Sequence, residues 1–165
     1  MRPSFAVSPG PGQVSVWDFP RPPRLEPVGE RVRIEFAGEV IADTLHALRV
    51  CETASPPTYY VPRSDVRSGA LVPCPGASMC EWKGRASYWT VRSGGAEAPA
   101  AAWSYEQPTS AFSALRDHVA FYAGRMDRCT VGPHVVVPQP GAFYGGWITP
   151  DLVGPFKGEP GTGHW

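Results

Sequence analysis

The chain has 165 residues, with fifteen Lys plus Arg balanced by fifteen Asp plus Glu, and it holds six Trp, six Tyr and seven Phe. That is one domain's length, enough to bury roughly two thirds of its unfolded surface, and the zero net charge argues against a nucleic-acid partner, because phosphate binding rests on a basic excess. Leu, Ile, Val and Phe number only 33 while Pro plus Gly reach 38, a composition near the border of disorder that balanced charge and abundant aromatics pull back toward a folded domain.

Residues 1–27 hold seven of the twenty prolines. Proline removes amide donors and fixes φ, so this stretch is expected as an extended arm outside any sheet interior. Its first residues, MRPSFAVSPGPG, have no apolar core for a signal peptide, and no later run approaches the roughly 20 apolar residues of a membrane helix. A cytoplasmic protein without a membrane partner is the expectation.

From about Val28 the texture changes to a core expected over residues 28–137. Val and Ile number 20 against six Leu, which favours strands over helices because β-branched side chains lose less freedom there. VRIEF (Val32 to Phe36) and EVIAD (Glu39 to Asp43) flank Ala37 and Gly38, a hairpin signal. Further strands are expected at His46 to Glu52, Thr58 to Val61, Arg85 to Arg92, Ala101 to Tyr105, Val119 to Tyr122, Arg128 to Val131 and Val135 to Val137. Pro56 and Pro57, Gly94 and Gly95, and Gly132 and Pro133 separate them. One short helix is expected at Ala111 to Asp117, with Ser110 as its N-cap. Many short strands divided by turns point to a mainly β single domain, a compact barrel or a sandwich-like sheet, with irregular arms at both ends. The tail, residues 138–165, is rich in Gly and Pro yet keeps Phe143, Tyr144, Trp147, Phe156 and Trp165, so it is expected to lie on the core or on a partner.

Two segments concentrate groups that carry chemistry. In the first, RVCETASPPTYYVPRSDV (Arg49 to Val66), strand alternation puts Arg49 and Cys51 on one side and Val50 and Glu52 on the other, and sends Tyr59 and Tyr60 opposite ways. Glu52 serves as a general acid or base if burial or a neighbouring cation tunes it; otherwise it forms a structural pair with Arg63 or Lys83. In the second, CEWKGRASYWTV (Cys80 to Val91), Lys83 is either a functional amine beside aromatics or a solvated one with its stem across Trp82. Cys80 lacks a recognisable Cys-His-Asn order. His46 and His118 sit in alternating or apolar contexts that suggest core groups. The four cysteines are expected as free thiols and form no C-x-x-C pair, so no metal site is expected. No G-x-S-x-G elbow, Walker loop or G-x-G-x-x-G fingerprint occurs.

The stretches VRIEFAGEVIADTLHALRVCET, PPTYYVPRSDVR, CEWKGRASYWTV, AAWSYEQP and HVAFYAGRMDRC resemble the bacterial domain-of-unknown-function family numbered 427, and the tail FYGGWITPDLVGPFKGEPGTGHW is similar to that of many actinobacterial members. The resemblance spans about residues 30 to 165 of the chain. It implies a small mainly β domain and no particular reaction. Members often have proline after the cysteine, where this chain has Glu81, which alters the turn and detracts from a role for Cys80. A nucleotidyltransferase-like label carried by some members lacks physical support here, because holding Mg²⁺ calls for spaced carboxylates and no Asp-x-Asp pair occurs.

The sequence therefore points to a pocket for a small polar or anionic ligand. Arg49 and Arg63 are expected to hold the anion, Tyr59, Tyr60, Trp82, Tyr88, Trp103 and Tyr122 to shape the wall, and Glu52 with Lys83 to supply acid/base capacity. No cofactor is indicated. The alternative is a noncatalytic interaction or assembly module, a homodimer among the options, that uses the aromatic tail.

Overall fold

The computed structural model describes residues 2–141 and 143–165. Its strands are, in chain order, β1 (Val14–Ser15), β2 (Arg24–Pro27), β3 (Val32–Phe36), β4 (Glu39–Thr44), β5 (Leu48–Cys51), β6 (Thr58–Pro62), β7 (Leu71–Cys80), β8 (Gly84–Ser93), β9 (Ala96–Ser104), β10 (His118–Phe121), β11 (Arg128–Val131), β12 (His134–Val135), β13 (Val137–Pro138), β14 (Trp147–Ile148) and β15 (Leu152–Val153). The expected helix is present as a 3-10 helix over Ser110–Leu115, with Thr109 rather than Ser110 at the N-cap position and no side-chain capping bond; the other helical pieces are three-residue 3-10 turns.

The β3–β4 hairpin turns where the sequence indicates, since Ala37 and Gly38 both take positive φ, 52° and 76°, the pair of left-handed residues that a tight two-residue hairpin requires. β3 and β4 join β11 and β12 in a four-stranded sheet of order β12-β11-β3-β4. The larger sheet has seven strands in the order β2-β5-β6-β10-β9-β8-β7, each neighbouring pair antiparallel. Both sheets are open, so of the two architectures expected the sandwich-like one is present and a closed barrel is not found among the described residues. The edges explain this. β7 carries Pro73 and Pro75, and its register breaks between Cys74 and Ala77, while β2 ends on Pro27; prolines and bulges block further strand pairing.

The main core lies between the sheets. Val32, Ile34, Phe36, Ile41, Cys129 and Val131 from the small sheet pack with Val61, Val91, Ala102, Val119 and Phe121 from the large one. Each large apolar side chain fully buried there contributes about 1.5–3 kcal/mol. The low aliphatic count is offset by rings packed beside small residues: Trp89 and Trp147 share this core with Ala98, Ala101 and Ala102.

The opposite face of the large sheet carries Val50, Tyr60, Ala86, Trp103, Tyr105 and Ala120, partly covered by Phe112 and Leu115 of the 3-10 helix. The proline-rich arm contributes β2 as an edge strand against β5, and β1 pairs in parallel with β15 of the tail. Val16 and Phe19 of the arm, Cys51 and Leu152 form a third buried cluster. Among the described residues, no helix is long and apolar enough to cross a membrane. His46 is exposed rather than a core group, and His118, half-buried, approaches the Arg116 carbonyl through Nδ1 at 2.9 Å.

Candidate functional site

A cavity of about 410 Å³ opens on the face of the large sheet turned away from the main core. Strand alternation builds its floor: Val50 of β5, Tyr60 of β6, Trp103 of β9 and Tyr88 of β8 all point to this side, joined by Tyr122 just past β10. Glu52 stands at the β5 end, and Cys80, Trp82 and Lys83 stand at the β7–β8 turn. The roof is the tail, which supplies Gln139, Phe143, Tyr144, Gly145 and Lys157. A second cavity of about 450 Å³ adjoins it and shares Tyr88, Tyr122, Gln139, Tyr144 and Gly145.

The tail is held over the sheet by specific bonds. The Trp147 amide donates to the Pro57 carbonyl at 2.8 Å and the Lys157 amide to the Ala54 carbonyl at 2.8 Å. Gln139, itself buried, accepts from the Gly146 amide at 2.9 Å and donates to the Lys157 carbonyl at 2.7 Å. The Tyr122 hydroxyl donates to the Phe143 carbonyl at 2.9 Å. Gly145 has no side chain because a Cβ there would run into the Trp103 ring.

Two residues that line the cavity, Tyr60 and Trp82, carry polar atoms sealed from solvent beneath its surface. Tyr60 Oη and Trp82 Nε1 are buried and make no hydrogen bond among the described residues; Trp103 and Tyr105 approach the Tyr60 hydroxyl without meeting hydrogen-bond geometry. Burial drives the Tyr60 and Tyr105 phenols well above the ordinary tyrosine range and pushes Tyr122 up to about 12, so all three stay neutral donors. Tyr88 Oη lies 2.7 Å from Ser78 Oγ, and the Trp103 and Tyr122 rings pack at 4.5 Å.

The charges are arranged at the ends. Arg21 Nε donates to Glu52 Oε2 at 3.1 Å, and its guanidinium also reaches the backbone oxygens of Thr53 and Trp165, both at 3.1 Å. The Lys83 ammonium sits 5.6 Å from the centre of the Tyr105 ring. The Lys157 ammonium lies 5.3 Å from the Tyr144 ring and donates to the Trp165 backbone oxygen at 3.1 Å. Neither lysine is ion-paired with a carboxylate among the described residues.

Of the residues singled out from sequence, the cavity brings together Glu52, Tyr60, Trp82, Lys83, Tyr88, Trp103 and Tyr122. Arg49, Tyr59 and Arg63 stand elsewhere. Arg49 and Tyr59 point to the other side by the same alternation that brings Val50 and Tyr60 in; they line a smaller cleft of about 160 Å³. There Arg49 donates to Glu26 at 2.7 Å and to Tyr59 at 3.4 Å. Exposed Arg63 lies 4.2 Å from the Trp89 ring, with Glu106 at 3.9 Å. The partner of Glu52 is therefore Arg21 of the arm, not Arg63 or Lys83. Sequence reasoning missed Arg21, Tyr105, Gln139, Tyr144 and Lys157; the aromatics of the tail were the one signal that it belongs to the site. Among the described residues, no three His, Cys, Asp or Glu side chains gather as a metal site would require, and the four cysteines are unbridged.

Fold and site together define a mainly β domain of two packed sheets, with an aromatic-walled cavity roofed by its own C-terminal segment. Residues 24–132 match the family described as Domain of unknown function (DUF427), and the chain belongs to that family. No curated protein matches it. The family match runs from β2 to just past β11, so Arg21 and the whole roof, Gln139 and Lys157 included, lie outside it.

Proposed function

We propose that this domain binds a small polar or anionic molecule in the cavity under the tail. The observation that carries the reading is the pair of buried, unpartnered groups beneath its wall, Tyr60 Oη and Trp82 Nε1. Leaving such a group unsatisfied costs about 1–3 kcal/mol, so native structures keep few of them, and a shift of the wall that opens them to a ligand bearing hydrogen-bond acceptors removes that cost. Lys83 and Lys157 favour negative charge on that ligand, while Arg21 holds the carboxylate of Glu52. The rings of Tyr88, Trp103 and Tyr122 supply flat apolar surface.

A proton relay shared by Glu52 and Lys83 is the weaker reading. Glu52 follows β5 and Lys83 precedes β8, four strand spacings apart in the sheet order, about 19 Å across a flat sheet. An assembly role has less to stand on in the tail rings, because Trp147 is spent in the main core and Trp165 stacks on Phe5; the exposed apolar groups are scattered, with Met79 and Phe143 at the cavity mouth and Val7, Val14, Leu45, Val135 and Val137 among those elsewhere.

The test is a thermal-shift screen of small carboxylates, phosphates and sulfonates on the full chain. A ligand at 100 times its dissociation constant stabilises by about 2.7 kcal/mol. Binding that weakens in Tyr60→Phe and Lys83→Met supports the assignment. A wild-type melting temperature that no anion raises overturns it.

A further inference from the structure

We infer that the ligand is an elongated dianion, with an acidic group at each end of a flat apolar body, Lys83 taking one end and Lys157 the other. This rests on the reading of the cavity as an anion site and deepens it.

The two lysines are anchored at opposite ends of the cavity. The Lys157 amide is tied to the Ala54 carbonyl at 2.8 Å, close beyond β5. The Lys83 carbonyl accepts from the Thr109 amide at 3.0 Å, at the start of β8. β6, β10 and β9 lie between those strands in the sheet, so the backbone anchors are about 19 Å apart if the sheet is laid flat. Curl of the sheet and the reach of two lysines shorten the gap between the ammoniums, but the two still enter from different walls, one from the β7–β8 turn and one from the roof. An anion shorter than the span between those walls engages one of them at a time. A body of about one or two aromatic rings, lying on Tyr88, Trp103 and Tyr122, presents an acidic group to each.

The donor set fits that placement. Trp82 Nε1, unpartnered, is next to Lys83 in sequence, and its indole can only donate. Lys157 uses one bond on the Trp165 backbone oxygen, and an ammonium has further donors for a ligand. The carboxylates nearby do not cancel the lysines: Glu52 is engaged by Arg21 at 3.1 Å, and Glu81 is exposed at the rim.

Titration of the full chain with benzoate, terephthalate and a biphenyl carrying one carboxylate at each end tests this, read by tryptophan fluorescence and melting temperature. One of the two dicarboxylates is expected to bind at least about tenfold tighter than benzoate, a factor equivalent to about 1.4 kcal/mol and within what one added charge-assisted contact supplies. Lys83→Met and Lys157→Met each bring that dicarboxylate back to the affinity of benzoate; both side chains are half-exposed, and unchanged melting of the free variants shows that they fold. Dicarboxylates no tighter than benzoate, or a loss on substituting only one lysine, overturn the two-ended ligand and leave the cavity an anion site. No response to any of the three, benzoate included, counts against the anion site itself.

Discussion

Tyr59 and Tyr60, neighbours on β6, serve opposite faces of one sheet. Tyr59 stacks on Trp147 at 5.0 Å within the core between the sheets, and its hydroxyl accepts from Arg49 at 3.4 Å. Tyr60 is fully buried under the cavity with its hydroxyl unpartnered. Removing each hydroxyl should therefore act in opposite directions. Tyr60→Phe is expected to stabilise the unliganded protein by about 1 kcal/mol, because an unsatisfied buried group is lost, whereas Tyr59→Phe costs up to about 1 kcal/mol. Urea unfolding of the two variants reads the sign directly, and a destabilised Tyr60→Phe would mean that the hydroxyl has an internal partner.

That opposition was legible in the sequence, because period-two alternation is a local property. So were the β3–β4 hairpin, from Ala37 and Gly38, and the placing of Glu52, just past β5, on the same side as Val50. β7 was missed because Pro73, Pro75 and Gly76 read as breakers, although an edge strand with a bulge tolerates all three. The same alternation counted against Arg49 as a pocket residue once Tyr60 was placed in the pocket, since in register Arg49 pairs with Tyr59. Arg21 and Lys157 were invisible for a different reason. Their roles depend on where the arm and tail lie on β5 and on the loop after it, and no periodicity reports contacts between segments so far apart in the chain.

Gly145 is where the roof meets the floor. Gly145→Ala forces the tail off Trp103 or Trp103 off its neighbours, and overpacking of this kind costs about 1–3 kcal/mol. The expected readouts are a lower melting temperature, altered Trp103 fluorescence and faster proteolysis within residues 138–146. A variant as stable and as protease-resistant as the parent would show that the roof is loosely seated.

The four thiols divide into two classes. Burial pushes Cys51 up to about 11 and Cys129 up to about 12, so each holds little thiolate at pH 8 and is also shielded. Cys74 and Cys80 are half-exposed on the edge strand β7. A thiol reagent should modify Cys74 and Cys80 in the native protein and reach Cys51 and Cys129 only on unfolding. An anion that binds the cavity should slow the labelling of Cys80, which lines it, more than that of Cys74.

Acid should weaken the fold through paired carboxylates. Hydrogen bonds from Arg2 and Arg31 hold Asp18 and Asp43 below the usual carboxylate range. Burial pushes Glu26 up, but hydrogen bonds and charge from Arg49 and Arg24 outweigh it and leave Glu26 lowered as well. A group depressed in the folded state contributes stability above its unfolded pKa, about 4 for these carboxylates, and loses it as pH falls through the folded value. Urea midpoints should thus hold steady from about pH 7 to 5 and fall below about pH 4. Salt should blunt the share of the exposed Asp18 and Asp43 pairs more than that of Glu26, and Glu26→Gln should flatten the remaining decline.

The arm and tail are closed on each other by three rings. Trp165 stacks on Phe5 at 5.2 Å and meets Trp17 edge-on at 5.0 Å, and Phe5 meets Trp17 at 5.3 Å, while Arg21 links the Trp165 backbone oxygen to Glu52. Each aromatic pair contributes about 0.5–1.5 kcal/mol beyond buried area, so Trp165→Ala, which breaks two, should destabilise by about 1–3 kcal/mol. Arg21→Ala should leave the rings in place yet release Glu52 into the cavity as an unneutralised carboxylate. Trp165→Ala then shows mainly as lost stability, and Arg21→Ala mainly as weaker anion binding through charge repulsion, reversed by adding Glu52→Gln. Should Glu52→Gln fail to restore binding in the Arg21→Ala background, Arg21 would act through the tail rather than through the charge of Glu52.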